Sequence, residues 1–364
     1  MSMPAEGSTE GDGHGAPDHR ITLLGPQRDP VVDEVMRSLR LEGARVATIT
    51  AGWRDREQDD TVLVDQLGGR CVNLRLWQRM QQIWEEDPDL EHADRRRRQV
   101  LTEMQELYLI GLQKAVEACT RIRGHQPRDA RVHRMAVEDV LEIIRELDER
   151  HVQRVAEVND EFFATHEPQH RDPVVRGRHE VGRLVGECEA VVIAGGHVGV
   201  LLGTLHMFNL APVLATAVPD PHDPRGVHAR VDRPVIAWGA GAMAITERVM
   251  LFYDDSVVAP GVAEVLMDGL GLTRGLVALP SATDRLDIKD PDRMRTLTHR
   301  CHPRVALPLD PGDRVTLTAD GRVPEGTRVF GPDGTVTRYA SSVPVPPTPD
   351  TPVGATTTPG QEDA

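Results

Sequence analysis

Residues 20–74 read RITLLGPQRDPVVDEVMRSLRLEGARVATITAGWRDREQDDTVLVDQLGGRCVNL, and the alternation inside this stretch decides the fold. Ile21–Leu24 is a short apolar run that stops at Gly25. Val31–Leu41 has helical spacing, Arg45–Thr50 is β-branched and stops at Ala51-Gly52, Asp59–Leu67 fits a helix, and Arg70–Leu74 fits a third strand. Strand, turn and helix in succession imply parallel strands joined by helical crossovers. A sheet of that kind is covered on both faces.

Outward from this stretch the pattern changes twice. From about Leu74 to Leu184 the strand signal nearly vanishes. Val100, Met104, Leu107, Leu112, Val116 and Cys119 recur at steps of three to five, and Val132, Ala136, Val140, Ile143, Leu147, His151, Val155, Val158 and Phe162 at threes and fours. These spacings predict two long amphipathic helices, parted at Arg123–Pro127, with charged residues on their outer faces and an apolar stripe through Leu107, Val116, Ile143, Leu147 and Val155 that is buried partly at a subunit interface. Strand-like runs resume at Ala190–Ala194 (AVVIA), Pro234–Trp238 (PVIAW), Val249–Tyr253, Leu276–Ala278 and Val305–Leu309. Between Arg314 and Tyr339, the pairs Asp320-Gly321, Glu325-Gly326 and Asp333-Gly334 are hairpin signals. The expected architecture is therefore one α/β domain over residues 20–74 and 185–340, a doubly wound (flavodoxin-like) parallel sheet closing with C-terminal β-hairpins. A helical insertion fills 75–184. Residues 1–19 and 341–364, the latter with six prolines, read as disordered tails.

The chain has 364 residues, with 57 acidic against 42 basic side chains and a net charge of −15. That balance argues against nucleic acid as a partner, since phosphate neutralisation needs clustered cations. The longest apolar candidate for a membrane span, Glu189 to Leu205, is broken by Gly195, Gly196, His197 and Gly199, so no membrane association is expected. The N-terminus lacks an apolar core of the signal-peptide kind. Cys71, Cys119, Cys188 and Cys301 are scattered, which fits free thiols in a reducing cytoplasm. His299, Cys301 and His302 have no further cysteine or acidic residue at ligand spacing, so no metal and no cofactor is expected.

Two predicted strand ends are glycine-rich: Ala194-Gly195-Gly196-His197-Val198-Gly199 and Ala237-Trp238-Gly239-Ala240-Gly241-Ala242-Met243. The second has the outline of a nucleophile elbow, in which the strand-to-helix turn demands small residues two before and two after the reactive one. Ala237 and Gly241 are those flanks, and the central position is Gly239. Together with Ile49–Glu57 (ITAGWRDRE) and Gly269–Leu272 (GLGL), these turns resemble the peptidase E and cyanophycinase family, serine hydrolases of the class I glutamine amidotransferase-like superfamily. The resemblance covers roughly residues 20–74 and 185–340.

In that family the elbow reads W-S-A-G-A or T-S-A-G-A with serine as nucleophile, and a histidine follows the G-L-G-L segment at the end of the next strand. Here the nucleophile position is Gly239. The stretch Leu279–Leu286 holds no histidine, and Ser281 stands nearest the vacant position. The resemblance further implies an oxyanion hole of backbone amides from Gly195, Gly196, His197, Ala240 and Gly241. His197, in the turn that carries the resemblance, either points into the pocket or is a structural hydrogen-bonder. By their place after strand ends, Asp254 or Asp255 either replaces the acidic triad member or is a plain loop residue, and Arg54, Arg56 and Glu57 either meet an anionic ligand or form a solvated loop.

A serine hydrolase needs an oxygen nucleophile and a base within reach. Both are substituted, which makes a catalytically degenerate member, a ligand-binding or assembly module, the expected function. Its expected ligand is a small carboxylate, amide or peptide. Two alternatives stand beside it. One is an active serine-type peptidase or amide hydrolase with a displaced nucleophile, Ser281 ahead of Ser256 and Thr246. The other is an oligomeric scaffold built on the helical insertion, consistent with an expected homo-dimer.

Overall fold

The computed structural model describes residues 20–340 apart from 29, 221–225 and 253–261. The expected tails, 1–19 and 341–364, lie outside the described residues.

The alternation at the start of the chain is realised as β1 (Ile21–Leu24), α1 (Val32–Ser38), β2 (Val46–Ile49), a 3-10 turn over Ala51–Arg56, α2 (Thr61–Gln66) and β3 (Cys71–Asn73). Four helices follow: α3 (Leu76–Glu86), α4 (Pro88–Arg123), α5 (Ala130–His166) and α6 (Asp172–Gly186). Among the described residues no strand interrupts this stretch. Asp87 and Asp129 start the two long helices, accepting from the amides of Leu90 and of Arg131 and Val132, and Pro88 sits at the first turn where its missing N–H costs nothing.

The chain returns to the sheet at β4 (Ala190–Ile193), then forms α7 (Val198–Met207), α8 (Ala211–Leu214), a ribbon of β5 (Ala215–Pro219) and β6 (Val227–Val231), β7 (Val235–Trp238) and α9 (Ala240–Ala244). A second ribbon pairs β8 (Arg248–Leu251) with β9 (Glu264–Asp268). The chain closes with β10 (Leu276–Pro280), α10 (Ala282–Arg285), α11 (Pro291–Cys301), β11 (Val305–Leu309), β12 (Arg314–Thr316), β13 (Arg328–Phe330) and β14 (Val336–Arg338).

The central sheet runs β12-β1-β7-β4-β2-β3. Its first five strands in chain order are parallel, and β12 adds the antiparallel edge foreseen from the turn pairs. Every residue of β1, β2, β4 and β7 is buried, as a sheet covered on both faces requires. One expectation is corrected. The later strands do not extend this sheet. Instead β10 and β11 pair with each other and with the hairpin β13–β14 in a second sheet.

The stripe on the long helices is buried only in part within the single chain. Val155 is buried, but Leu107 and Ile143 are 63% and 53% exposed. Two charged residues take inner positions instead. Asp94 holds both Arg97 and Arg98, and Asp148 meets Arg300 of α11. Among the described residues no helix is long and apolar enough to cross a membrane.

Candidate functional site

Parallel β1, β2, β4 and β7 present their carboxyl ends on one edge of the sheet, where ligands of such folds bind. The turns after them line a cleft of about 740 Å³: Gln27 and Arg28 after β1, Trp53 after β2, Gly195–His197 after β4, and Gly239 after β7. Arg285 of α10 joins this wall.

The elbow has the geometry its spacing requires. Gly239 has φ 55° and ψ −125°, between a strand that ends at Trp238 and a helix that begins at Ala240. Side-chain-bearing residues rarely adopt this conformation and do so mainly where function demands it. Two residues on, a Cβ on Gly241 would lie 2.4 Å from the Ile193 carbonyl oxygen, so only glycine fits there. Gly239 itself has room, because a Cβ on it would lie 3.5 Å from Gly195 Cα, an ordinary contact. The elbow lacks a side chain, not space for one.

Around it, the amides of Gly196 and Ala240 donate to no group among the described residues. Gly195 closes on them, for a Cβ there would lie 3.5 Å from Ala240 N. The His197 amide, expected as a third donor, is engaged by Gly52 O at 2.8 Å. Gly52 and Gly196 are pressed together, since a Cβ on Gly196 would stand 2.5 Å from Gly52 O, and that contact fixes the turn. The His197 ring is exposed and caps α7, with Nδ1 accepting from Val200 N at 3.2 Å, which puts the proton of the neutral ring on Nε2.

Several other predicted residues are placed elsewhere. Ser281 adopts a left-handed conformation, φ 55° and ψ 40°, next to Pro280 and four residues before Arg285, which both line the cleft, but it is not itself part of the wall. Among the described residues no hydrogen bond joins its hydroxyl to His197, whose Nδ1 accepts from Val200 N. Thr246 is buried with its Oγ1 2.7 Å from Met243 O and 2.9 Å from Arg248 O, a structural setting. Glu57 is a helix cap and not a ligand-binding group. Its carboxylate is fully buried and accepts from the amides of Trp77 and Gln78 at 3.1 and 2.9 Å, and burial pushes its pKa up. Arg54 is exposed and outside the cleft wall, although its φ of 58° and ψ of −125° repeat the elbow's strained backbone. Arg56 pairs with Asp59 on the surface. Asp254, Asp255 and Ser256 lie outside the described residues. Among the described residues no three His, Cys, Asp or Glu side chains gather as a metal site.

The sequence reading passed over Trp53, Trp238, Gln27, Arg28 and Arg285 as cleft residues. The signal for Gln27 and Arg28 was present, because Gly25-Pro26-Gln27-Arg28 follows a strand whose end must share an edge with Gly195 and Gly239.

No family model matches the chain, and no curated protein matches it. Among solved structures the chain is similar to one described as the crystal structure of a peptidase from an acI-B1 Actinobacterium, at 11% identity and a TM-score of 0.37, with 89% of this chain and 95% of that one covered.

Proposed function

We propose that the chain is a non-catalytic relative of the peptidase E and cyanophycinase hydrolases that acts in the cytoplasm and binds a small carboxylate or the carboxyl end of a peptide in the elbow cleft. The observation that carries this reading is the elbow itself: a strained, nucleophile-type backbone at a residue with no side chain, beside two unengaged amides. Amides held in this way stabilise an anionic oxygen whether or not a nucleophile is present. All four cysteines are free thiols, which supports a reducing compartment.

The test is tryptophan fluorescence of the full chain titrated with an N-acetyl dipeptide, because Trp53 and Trp238 both line the cleft. Ala240→Pro removes one amide at the first position of a helix, where proline is tolerated. A hydrogen bond to a charged group contributes about 1.5–3 kcal/mol, so this variant should bind at least about tenfold more weakly while remaining folded. Equal affinity of the two proteins would remove the amide pair from the function.

The exposed Leu107 and Ile110 of α4 and Ile143 of α5 support a homo-dimer through the long helices. Light scattering should then give twice the chain mass, and Ile110→Glu with Ile143→Glu should return it to one. A monodisperse monomer of the unmodified chain would sink the dimer and leave the cleft reading intact.

A further inference from the structure

Helix α7 carries glycines at 199 and 203, one turn apart. Glycine inside a helix weakens it relative to alanine, and is usually offset where another backbone closes in. At Gly203 nothing closes in, since a Cβ built there meets no atom within 4 Å. The glycine opens onto a cavity of about 320 Å³ beneath the long helices, walled on its apolar side by Leu101, Val152, Val155, Phe163 and Met267.

Two polar groups in the same wall are left unmatched. Arg97 Nε and His206 Nε2 are both shielded from solvent and have no hydrogen-bond partner. The other nitrogens of Arg97 are occupied, Nη1 by Asn159 Oδ1 at 3.0 Å and Nη2 by Asp94 Oδ1 at 2.5 Å. Buried polar groups in native proteins nearly always have partners, so two orphans on residues that line one cavity call for a partner from outside the chain. The charged groups of the wall are Arg97, Arg98, Asp160 and Asp268. Arg97 and Arg98 share the single buried carboxylate of Asp94, while Asp160 is exposed and Asp268 lies near Arg248 at 3.5 Å. Burial and the nearby Arg97 lower the pKa of His206 and keep its ring neutral near pH 7. Phe163 and His206 also form part of an outer groove with Gln169 and Arg178, which offers a route in from solvent.

We propose that this cavity is a second binding site, for a small carboxylic acid with an apolar body whose carboxylate is received by Arg97 and His206. At about 30 Å³ per water-sized group, the space corresponds to about ten non-hydrogen atoms. A chain of that size buries its apolar part against the aliphatic wall and leaves its charged end at the unmatched donors.

The experiment uses the full chain labelled with ¹⁵N-histidine and titrated with hexanoate to about 10 mM, enough to fill even a millimolar site. His206 reports on the cavity and His197 on the elbow cleft. Hexanoate should shift the His206 ring nitrogens, and 1-hexanol should bind at least about tenfold more weakly for want of the charge. Gly203→Leu fills the open space and should weaken hexanoate binding at least about tenfold without changing the His197 signal. Should that variant fail to fold, Arg97→Gln, which shortens the side chain and removes its charge, should give a loss of the same order. A shift confined to His197, no shift at His206, hexanol binding as well as hexanoate, or an affinity indifferent to these substitutions would each overturn the site.

Discussion

Replacing Asp148 by alanine is expected to destabilise the chain by about 3–5 kcal/mol, the loss that follows when one member of a buried ion pair is removed. Asp148 on α5 and Arg300 on α11 are each only 2% exposed. Arg300 donates to both carboxylate oxygens, at 2.7 and 2.9 Å, and also to the Ala263 carbonyl. Tyr108 of α4 completes the cluster, donating to Asp148 at 2.6 Å while its oxygen accepts from Val265 N of β9. Three helices meet at this one carboxylate, and β9 joins them through the Tyr108 hydroxyl. Without it, Arg300 remains charged in an apolar setting, because burial cannot neutralise a guanidinium. Thermal melting should fall by roughly 10 °C. The triple change Asp148→Leu, Arg300→Met and Tyr108→Phe removes charge and partner together and should cost less than Asp148→Ala alone. A single variant within about 1 kcal/mol of the parent would show that water reaches the guanidinium and that the cluster is not a clamp.

That cluster also marks where the sequence stops being legible. Helical periodicity assigns charged residues to the outer face, and for most of α4 and α5 it does so correctly. It fails at Asp148 because the neutralising partner is chosen by tertiary contact, Arg300 lying 152 residues beyond it, and at Asp94 although Arg97 and Arg98 stand within one turn on the same helix. The same limit applies to Glu57. Its position after a strand suggested a ligand, yet its carboxylate is claimed by the amides that open α3, about 20 residues on. By contrast β1, β2, β4 and β7 were readable, because unbroken apolar runs ending in glycine have few uses other than buried parallel strands. The elbow was readable for a steric reason, since small residues at fixed offsets reflect close backbone approach, as the 2.4 Å clearance at Gly241 shows. Which amides around it stay free was not readable. That depends on Gly52 capturing His197 N, a contact between two loops.

The largest effect expected in the cleft is a gain of chemistry. The unmodified chain should show no labelling by a fluorophosphonate serine-hydrolase probe, because Gly239 supplies no oxygen and, among the described residues, Ser281 makes no hydrogen bond to His197. Gly239→Ser meets no steric barrier, its Cβ resting 3.5 Å from Gly195 Cα, and bears only the strain of φ 55°, about 1–3 kcal/mol. The new hydroxyl would stand beside the free amides of Gly196 and Ala240 but without a base, so labelling should be weak. Adding Ser281→His places an imidazole at a left-handed position, a conformation in which histidine is enriched several-fold, next to the cleft residue Pro280. Loss of a triad member typically lowers turnover by about 10⁴-fold, and restoring a base should recover part of that, so the double variant should label at least about tenfold faster than the single one. Strong labelling of the unmodified chain that disappears in Ser281→Ala would instead move the nucleophile to Ser281 and make the protein an active hydrolase. Equal, slow labelling of the single and double variants would show that the backbone after β10 does not bring residue 281 to the elbow.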